Sequence, residues 1–223
     1  MAENAEKSAT PDENSAERSR DEIFKEYFFS LGKFIDIFAQ VEKSMNFFLR
    51  YESQVNGDMA GALFRGFKVD GLKDAIKRVR STNNLRDDPL MERAFTQLTH
   101  ISSRRNDIVH FGAEFYDDDF FVTNALKAHN ELSTRKFSAS PDILDSMSSD
   151  LETMLCGLAV CILNAADRNL SLARTKDSIE AIAKLRLRAD VPWRYIPPQP
   201  SPKQRQNPQT HPKRQRPPRA SRR

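Results

Sequence analysis

Arg105, Asn106 and His110 are the residues of this chain best suited to chemistry. An arginine offers a planar fork of donors to phosphate oxygens. A histidine moves protons near neutral pH, and an asparagine can orient either neighbour. Together they suit cleavage of RNA through its own 2′-hydroxyl. That reaction needs a base for the hydroxyl proton, an acid for the leaving oxygen, and positive charge beside the pentacoordinate phosphate. It needs no metal.

The three residues share the run Arg105-Asn106-Asp107-Ile108-Val109-His110 inside one strongly periodic segment. A helix turns about 100° per residue. With Met91 at zero, Ala94, Phe95, Leu98, Ile101, Ile108 and Val109 fall in an arc of roughly 140°, the width of a buried stripe. Arg105 lies near the middle of that arc. Asn106 and His110 lie about 40° apart along one edge of it, and Asp107 points towards water. The helix is expected to start near Asp87 or Asp88, with Pro89 in its first turn, and to stop at Gly112. His110 then occupies the last turn, where the helix dipole favours positive charge.

An arginine in a core needs a partner, since an unpaired buried charge costs several kcal/mol. The first long helix offers one. Phe24, Tyr27, Leu31, Phe34, Phe38, Val41 and Met45 share its apolar face, and Glu42 lies inside that face. Each of two core-facing stripes carries one misplaced charge, of opposite sign. The expectation is an ion pair between Glu42 and Arg105 that positions the arginine.

The chain has 223 residues and a net charge of +4, unevenly spread. Residues 1–20 hold five acids and three bases with no aromatic residue, and residues 199–223 hold eight bases, six prolines and no acid. Both ends read as disordered tails. The part between them, 21–198, has 24 bases and 26 acids. The basic character therefore belongs to the C-terminal tail, not to a globular nucleic-acid platform. Lys203, Arg205, Lys213, Arg214, Arg216, Arg219, Arg222 and Arg223 are its candidate RNA-phosphate contacts. Beyond Tyr195 the tail has no aromatic residue to stack on bases. Trp193 to Pro198 open the tail segment, 193–223, and their aromatic residues can pack back on the folded part.

Cys156 and Cys161 sit in one apolar helical run and read as core cysteines of a reducing compartment. The N-terminus is polar rather than a signal peptide. The longest apolar run, Met154 to Leu163, is ten residues and too short to span a bilayer. The expectation is a cytoplasmic protein without a membrane partner.

The periodicity predicts helices over about Asp21–Tyr51, Met59–Phe64, Val69–Ser81, Asp88–Gly112, Ser140–Arg168 and Leu172–Leu187. Between Gly112 and Ser140 the period changes. Ala113–Tyr116 and Phe120–Thr123 flank Asp117-Asp118-Asp119, which predicts a small β-hairpin with an acidic turn. Long amphipathic helices with short connections predict an all-α, up-and-down bundle of four to five helices with that hairpin attached, in one domain over 21–192. Ile37, Phe47 and Phe48 broaden the apolar arc of the first helix, which points to a homodimer or another partner.

There is no Walker loop, GxGxxG, HExxH or GxSxG, and His100 and His110 are not spaced to share a zinc ion. No cofactor is expected. The sequence Arg105-Asn106-x-x-x-His110, near the end of a helix in an all-helical domain, resembles the RNxxxH form of the RxxxxH motif of HEPN domains. The similarity covers about residues 21–190, on a short motif. It implies a helical bundle, usually dimeric, whose motif helices face a shared cleft. It also implies metal-independent endoribonuclease activity, with a cyclic phosphate product and a role in defence or toxin–antitoxin systems. By that match Arg105 and His110 carry catalysis, with Asn106 in support. The alternative is a HEPN-like module that binds RNA, a nucleotide, an antitoxin or another defence partner without cleaving anything.

Overall fold

A computed structural model of the chain describes residues 20–86, 88–125, 136–170 and 175–198. The two tails, up to 19 and from 199 on, lie outside the described residues. Six helices and a small sheet follow in the order α1 (Arg20–Ser53), α2 (Gly57–Phe64), α3 (Val69–Thr82), α4 (Pro89–Phe111), β1 (Glu114–Tyr116), β2 (Asp119–Thr123), β3 (Lys136–Ser138), α5 (Pro141–Leu170) and α6 (Lys176–Ala189). The all-α class with an appended sheet is as the periodicity predicts.

Helix boundaries follow their capping chemistry. Asp88 Oδ1 accepts the Leu90 amide at 3.0 Å and Pro89 opens α4. Ser140 Oγ accepts the Ile143 amide at 3.4 Å at the start of α5. Thr175 Oγ1 accepts the Ser178 amide at 3.2 Å before α6. Each satisfies an amide that the helix leaves without a partner. The predicted start of α6 at Leu172 falls on residues outside the described ones.

The core forms around α1 and α5, which pack along each other, with α3 against α1 and α6 against α5. Phe34, Val41, Met45, Phe48 and Leu49 of α1 are fully buried, as are Leu144, Met147 and Leu151 of α5. Over Pro141–Asn169, α5 is apolar and long enough to cross a membrane by composition alone. In the fold, that apolar surface meets α1, α4 and α6.

The hairpin is one part of a three-stranded antiparallel sheet in the order β1-β2-β3. Phe115 pairs with Phe120, and Val122 pairs with Phe137. The third strand corrects the expected two-stranded unit. Asp117 and Asp118 form the turn with φ of 49° and 59°, the left-handed pair that a two-residue hairpin requires and that aspartate tolerates. Asp119 does separate work: its Oδ2 accepts Ser138 Oγ at 2.7 Å and ties β3 to the turn. Phe120 stacks on Tyr27 at 3.7 Å between ring centroids, anchoring the sheet to α1. β2 also packs on α4.

Candidate functional site

The motif lies in the last two turns of α4, which Gly112 terminates. Its φ of 71° is open to glycine at little cost, and its amide donates to Ile108 O at 2.9 Å. Ahead of it the buried side of the helix changes. Up to Ile101 the burial follows the predicted stripe. Beyond it Asp107 and Ile108 are buried, whereas Val109 is 51% exposed. This reverses two expectations, Asp107 in water and Val109 in the core. The physical reason is the sheet. The chain turns back at Gly112, and β2 packs on α4, so it covers a side that the N-terminal turns of the helix leave open. Asn106, Val109 and His110 are left exposed, with Asn106 and His110 one turn apart, while Arg105 is half-buried.

Glu42 and Arg105 do not form the expected ion pair. The Arg105 guanidinium lies 5.3 Å from the centroid of the Phe38 ring, one turn before Glu42 on α1. Its Nη1 donates to Asn106 Oδ1 at 3.2 Å, and its Nε–H is buried without an acceptor. A half-buried guanidinium needs less than a full core charge does, and an aromatic face attracts its charge without a carboxylate. Glu42 is half-buried. The buried acid of α1 is Glu52 instead. Its Oε1 accepts Arg80 Nη1 of α3 at 2.6 Å and Arg168 Nη2 of α5 at 2.8 Å.

Arg104, next to the motif, is a residue that the pattern did not single out. Its Nε donates to Tyr195 Oη at 3.0 Å, and its guanidinium sits 4.3 Å over the Phe137 ring of β3. Tyr195 belongs to a strap, residues 191–198, that runs along α4 towards the motif. Arg93 stacks on Trp193 at 4.8 Å, Gln97 Nε2 donates to Tyr195 O at 2.8 Å, and Arg104 holds the phenol end. Buried Asp150 of α5 fixes the strap, accepting the Arg194 and Tyr195 amides at 2.7 and 3.0 Å and Gln97 Nε2 at 2.8 Å. Trp193 and Tyr195 thus pack on the helices, although the sequence reading begins the tail at 193. The only advance signal was their aromatic character. Lys203, Arg205, Lys213, Arg214, Arg216, Arg219, Arg222 and Arg223 lie outside the described residues.

Chemically, the site offers one held guanidinium that no carboxylate among the described residues neutralises, and one imidazole open to solvent. His110 makes no hydrogen bond or ion pair among the described residues. Arg105 and Asn106 are brought together, while His110 approaches them only through the helix, about 7 Å along its axis from Arg105. Comparison with protein-family models, curated proteins and solved structures gives no match for this chain.

Proposed function

We propose that this chain is a metal-independent endoribonuclease of the HEPN type, acting as a cytoplasmic homodimer in a defence or toxin-like role. The observation that carries this reading is the setting of Arg105. Its guanidinium rests on the Phe38 ring and on Asn106 Oδ1, with no carboxylate partner among the described residues. The charge is therefore held in place but not cancelled, which is what capture of a phosphodiester requires.

In the proposed reaction the 2′-oxygen attacks the adjacent phosphorus and its proton passes to one His110 imidazole. The bond to the 5′-oxygen of the next nucleotide breaks, and that oxygen takes a proton from the imidazolium of His110 in a second copy. The products are a cyclic phosphate and a free 5′-hydroxyl. Arg105 binds the phosphate oxygens as charge builds on them. Asn106 orients Arg105 through the bond that joins them. The basic tail, starting beyond a strap that runs towards the motif, gathers RNA by neutralising phosphates.

The test is cleavage of purified RNA in EDTA. His110→Ala is expected to lower the rate by about 10²–10⁴ and Arg105→Ala by about 10²–10³, with helicity retained. Cleavage undiminished in both variants refutes the assignment. A non-catalytic HEPN-like module that binds RNA, a nucleotide or a protein partner is the second reading. It is favoured by the absence, among the described residues, of any group that orients His110. No cleavage and no toxicity on expression, together with a stably bound partner, select it. Toxicity relieved by His110→Ala selects the enzyme, even where an antitoxin masks the purified protein.

A further inference from the structure

A cleft of about 790 Å³ lies away from the motif. It opens between the α3–α4 connection, the middle of α5 and the C-terminal half of α6. Leu90, Val160 and Leu187 give it apolar walls, and Leu187 stands 75% exposed at its edge. A large aliphatic side chain left open to water beside a cleft of this size is a surface suited to an apolar ligand body.

The charges in the cleft are not balanced. Its two acids are committed. Asp88 caps α4 through the Leu90 amide, and Asp190 Oδ1 pairs with Arg93 Nη1 at 2.9 Å. Arg80 is buried in the cleft wall. It gives Nη1 to Glu52 and Nη2 to Arg86 O, both at 2.6 Å, and its Nε–H meets no acceptor. Behind it, Glu52 already serves a second guanidinium, that of Arg168. The side chains of Arg86 and Arg186, both lining the cleft, have no acidic partner among the described residues. Arg86 and Arg186 thus line a space whose described acids are engaged, unpaired with any acid among the described residues, against a wall whose buried arginine is one acceptor short.

We propose that this cleft binds a small organic anion: a phosphate or carboxylate carried on an apolar body about the size of a nucleotide. The anionic group pairs with Arg86 and Arg186, where planar donor forks give charge-assisted, bidentate bonds. The body lies on Leu90, Val160 and Leu187. A nucleoside monophosphate and an acyl chain with a terminal carboxylate share this chemistry. The site is separate from the RNA-cleaving one and does not depend on it.

Isothermal titration of the full chain with AMP and with decanoate tests the idea, with adenosine, decanol and inorganic phosphate as references. One of the two anions is expected to bind at a single site, at least tenfold more tightly than its uncharged counterpart or phosphate alone. The preferred anion identifies the source of the chemistry. The double substitution Arg86→Gln/Arg186→Gln, at exposed positions, is expected to weaken binding tenfold or more with an unchanged thermal transition. Arg105→Ala/His110→Ala is expected to leave binding unchanged. The proposal is overturned if neither anion binds at millimolar concentration, if the Arg86/Arg186 variant binds as tightly as the parent, or if the Arg105/His110 variant loses binding.

Discussion

Replacing Glu52 by Gln is expected to destabilise the protein far more than replacing Arg168, the more exposed of its two partners. The Glu52 side chain is 2% exposed, that of Arg80 10% and that of Arg168 40%. One carboxylate oxygen takes both guanidiniums, at 2.6 and 2.8 Å. Glu52→Gln keeps the shape, removes the charge, and leaves Arg80 buried without its anion. Breaking a buried pair in this way costs about 3–5 kcal/mol. Arg168 regains water, so its share of the loss is small. Arg168→Gln, which leaves the Glu52–Arg80 bond intact, is expected to cost about 0–1 kcal/mol, as for a pair with one partner well exposed.

Urea unfolding followed by circular dichroism measures both. With a slope of about 2 kcal/mol per molar, Glu52→Gln lowers the midpoint by roughly 2 M and Arg168→Gln by less than about 0.5 M. Total stabilities are about 5–15 kcal/mol, so the first substitution removes a large part. Glu52→Leu combined with Arg80→Met, which removes both charges, is expected to recover most of the loss, because apolar replacement of a buried pair is close to neutral. Equal costs for Glu52→Gln and Arg168→Gln would show that Arg80 is not held by Glu52 in solution, and the argument from burial would fail.

Burial, followed by the Asp88 carboxylate, pushes the Cys161 thiol up to about 12. A disulfide reagent at pH 8 is therefore expected to label half-buried Cys156 first and Cys161 only in denaturant. Because the folded thiol titrates above its ordinary 9.0, its contribution to stability is full below that value and is lost as pH rises towards about 12; stability increasing over that window would contradict it. Asp150→Ala strands the amides of Arg194 and Tyr195 and removes one of the two acceptors of the Gln97 side chain. The strap is then expected to undock at a cost of about 3 kcal/mol. Trp193, the single tryptophan, reports this as a red-shifted emission, and an unchanged spectrum counts against the anchor. Phe38→Leu removes the ring under Arg105 and is expected to slow the proposed RNA cleavage about tenfold with the helices intact, a cation–π loss of about 1 kcal/mol; an unchanged rate rules the ring out as a positioning group.

Much of the fold is legible because its helices are long and their caps local. Asp88-Pro89, Ser140-Pro141 and Gly112 mark boundaries by backbone chemistry that acts within a few residues. The acidic turn was readable for the same reason. β3 was not. Three residues, Lys136–Ser138, are too few to show alternation, and what makes them a strand is pairing with β2. The reversal at Asp107 and Val109 was equally out of reach, since periodicity describes a helix facing one surface and α4 meets a second one after Ile101. Glu42 and Glu52 illustrate a finer limit. Glu52 lies at Met45 + 7 and Phe48 + 4, on the same buried face, but the periodicity ended the helix at Tyr51, one residue before it, whereas α1 runs to Ser53. Which of them meets an arginine depends on where α3 and α5 deliver Arg80 and Arg168, and that is set by tertiary packing.

The corrected partner of Arg105 bears directly on its chemistry. A Glu42–Arg105 pair would have held the guanidinium rigid but also matched its charge. An incoming phosphate would then have had to compete with a carboxylate already in place. A ring face attracts the cation through its quadrupole and brings no net charge. Asn106 adds a neutral acceptor, so orientation is achieved with the positive charge intact. The pairing through Glu52 shows the contrary arrangement in the same molecule. There, two guanidiniums share one buried carboxylate. A buried arginine that fixes helix packing has its carboxylate. On the proposed reading, an arginine prepared for an external anion lacks one among the described residues, and at the motif it is Phe38, not Glu42, that holds Arg105.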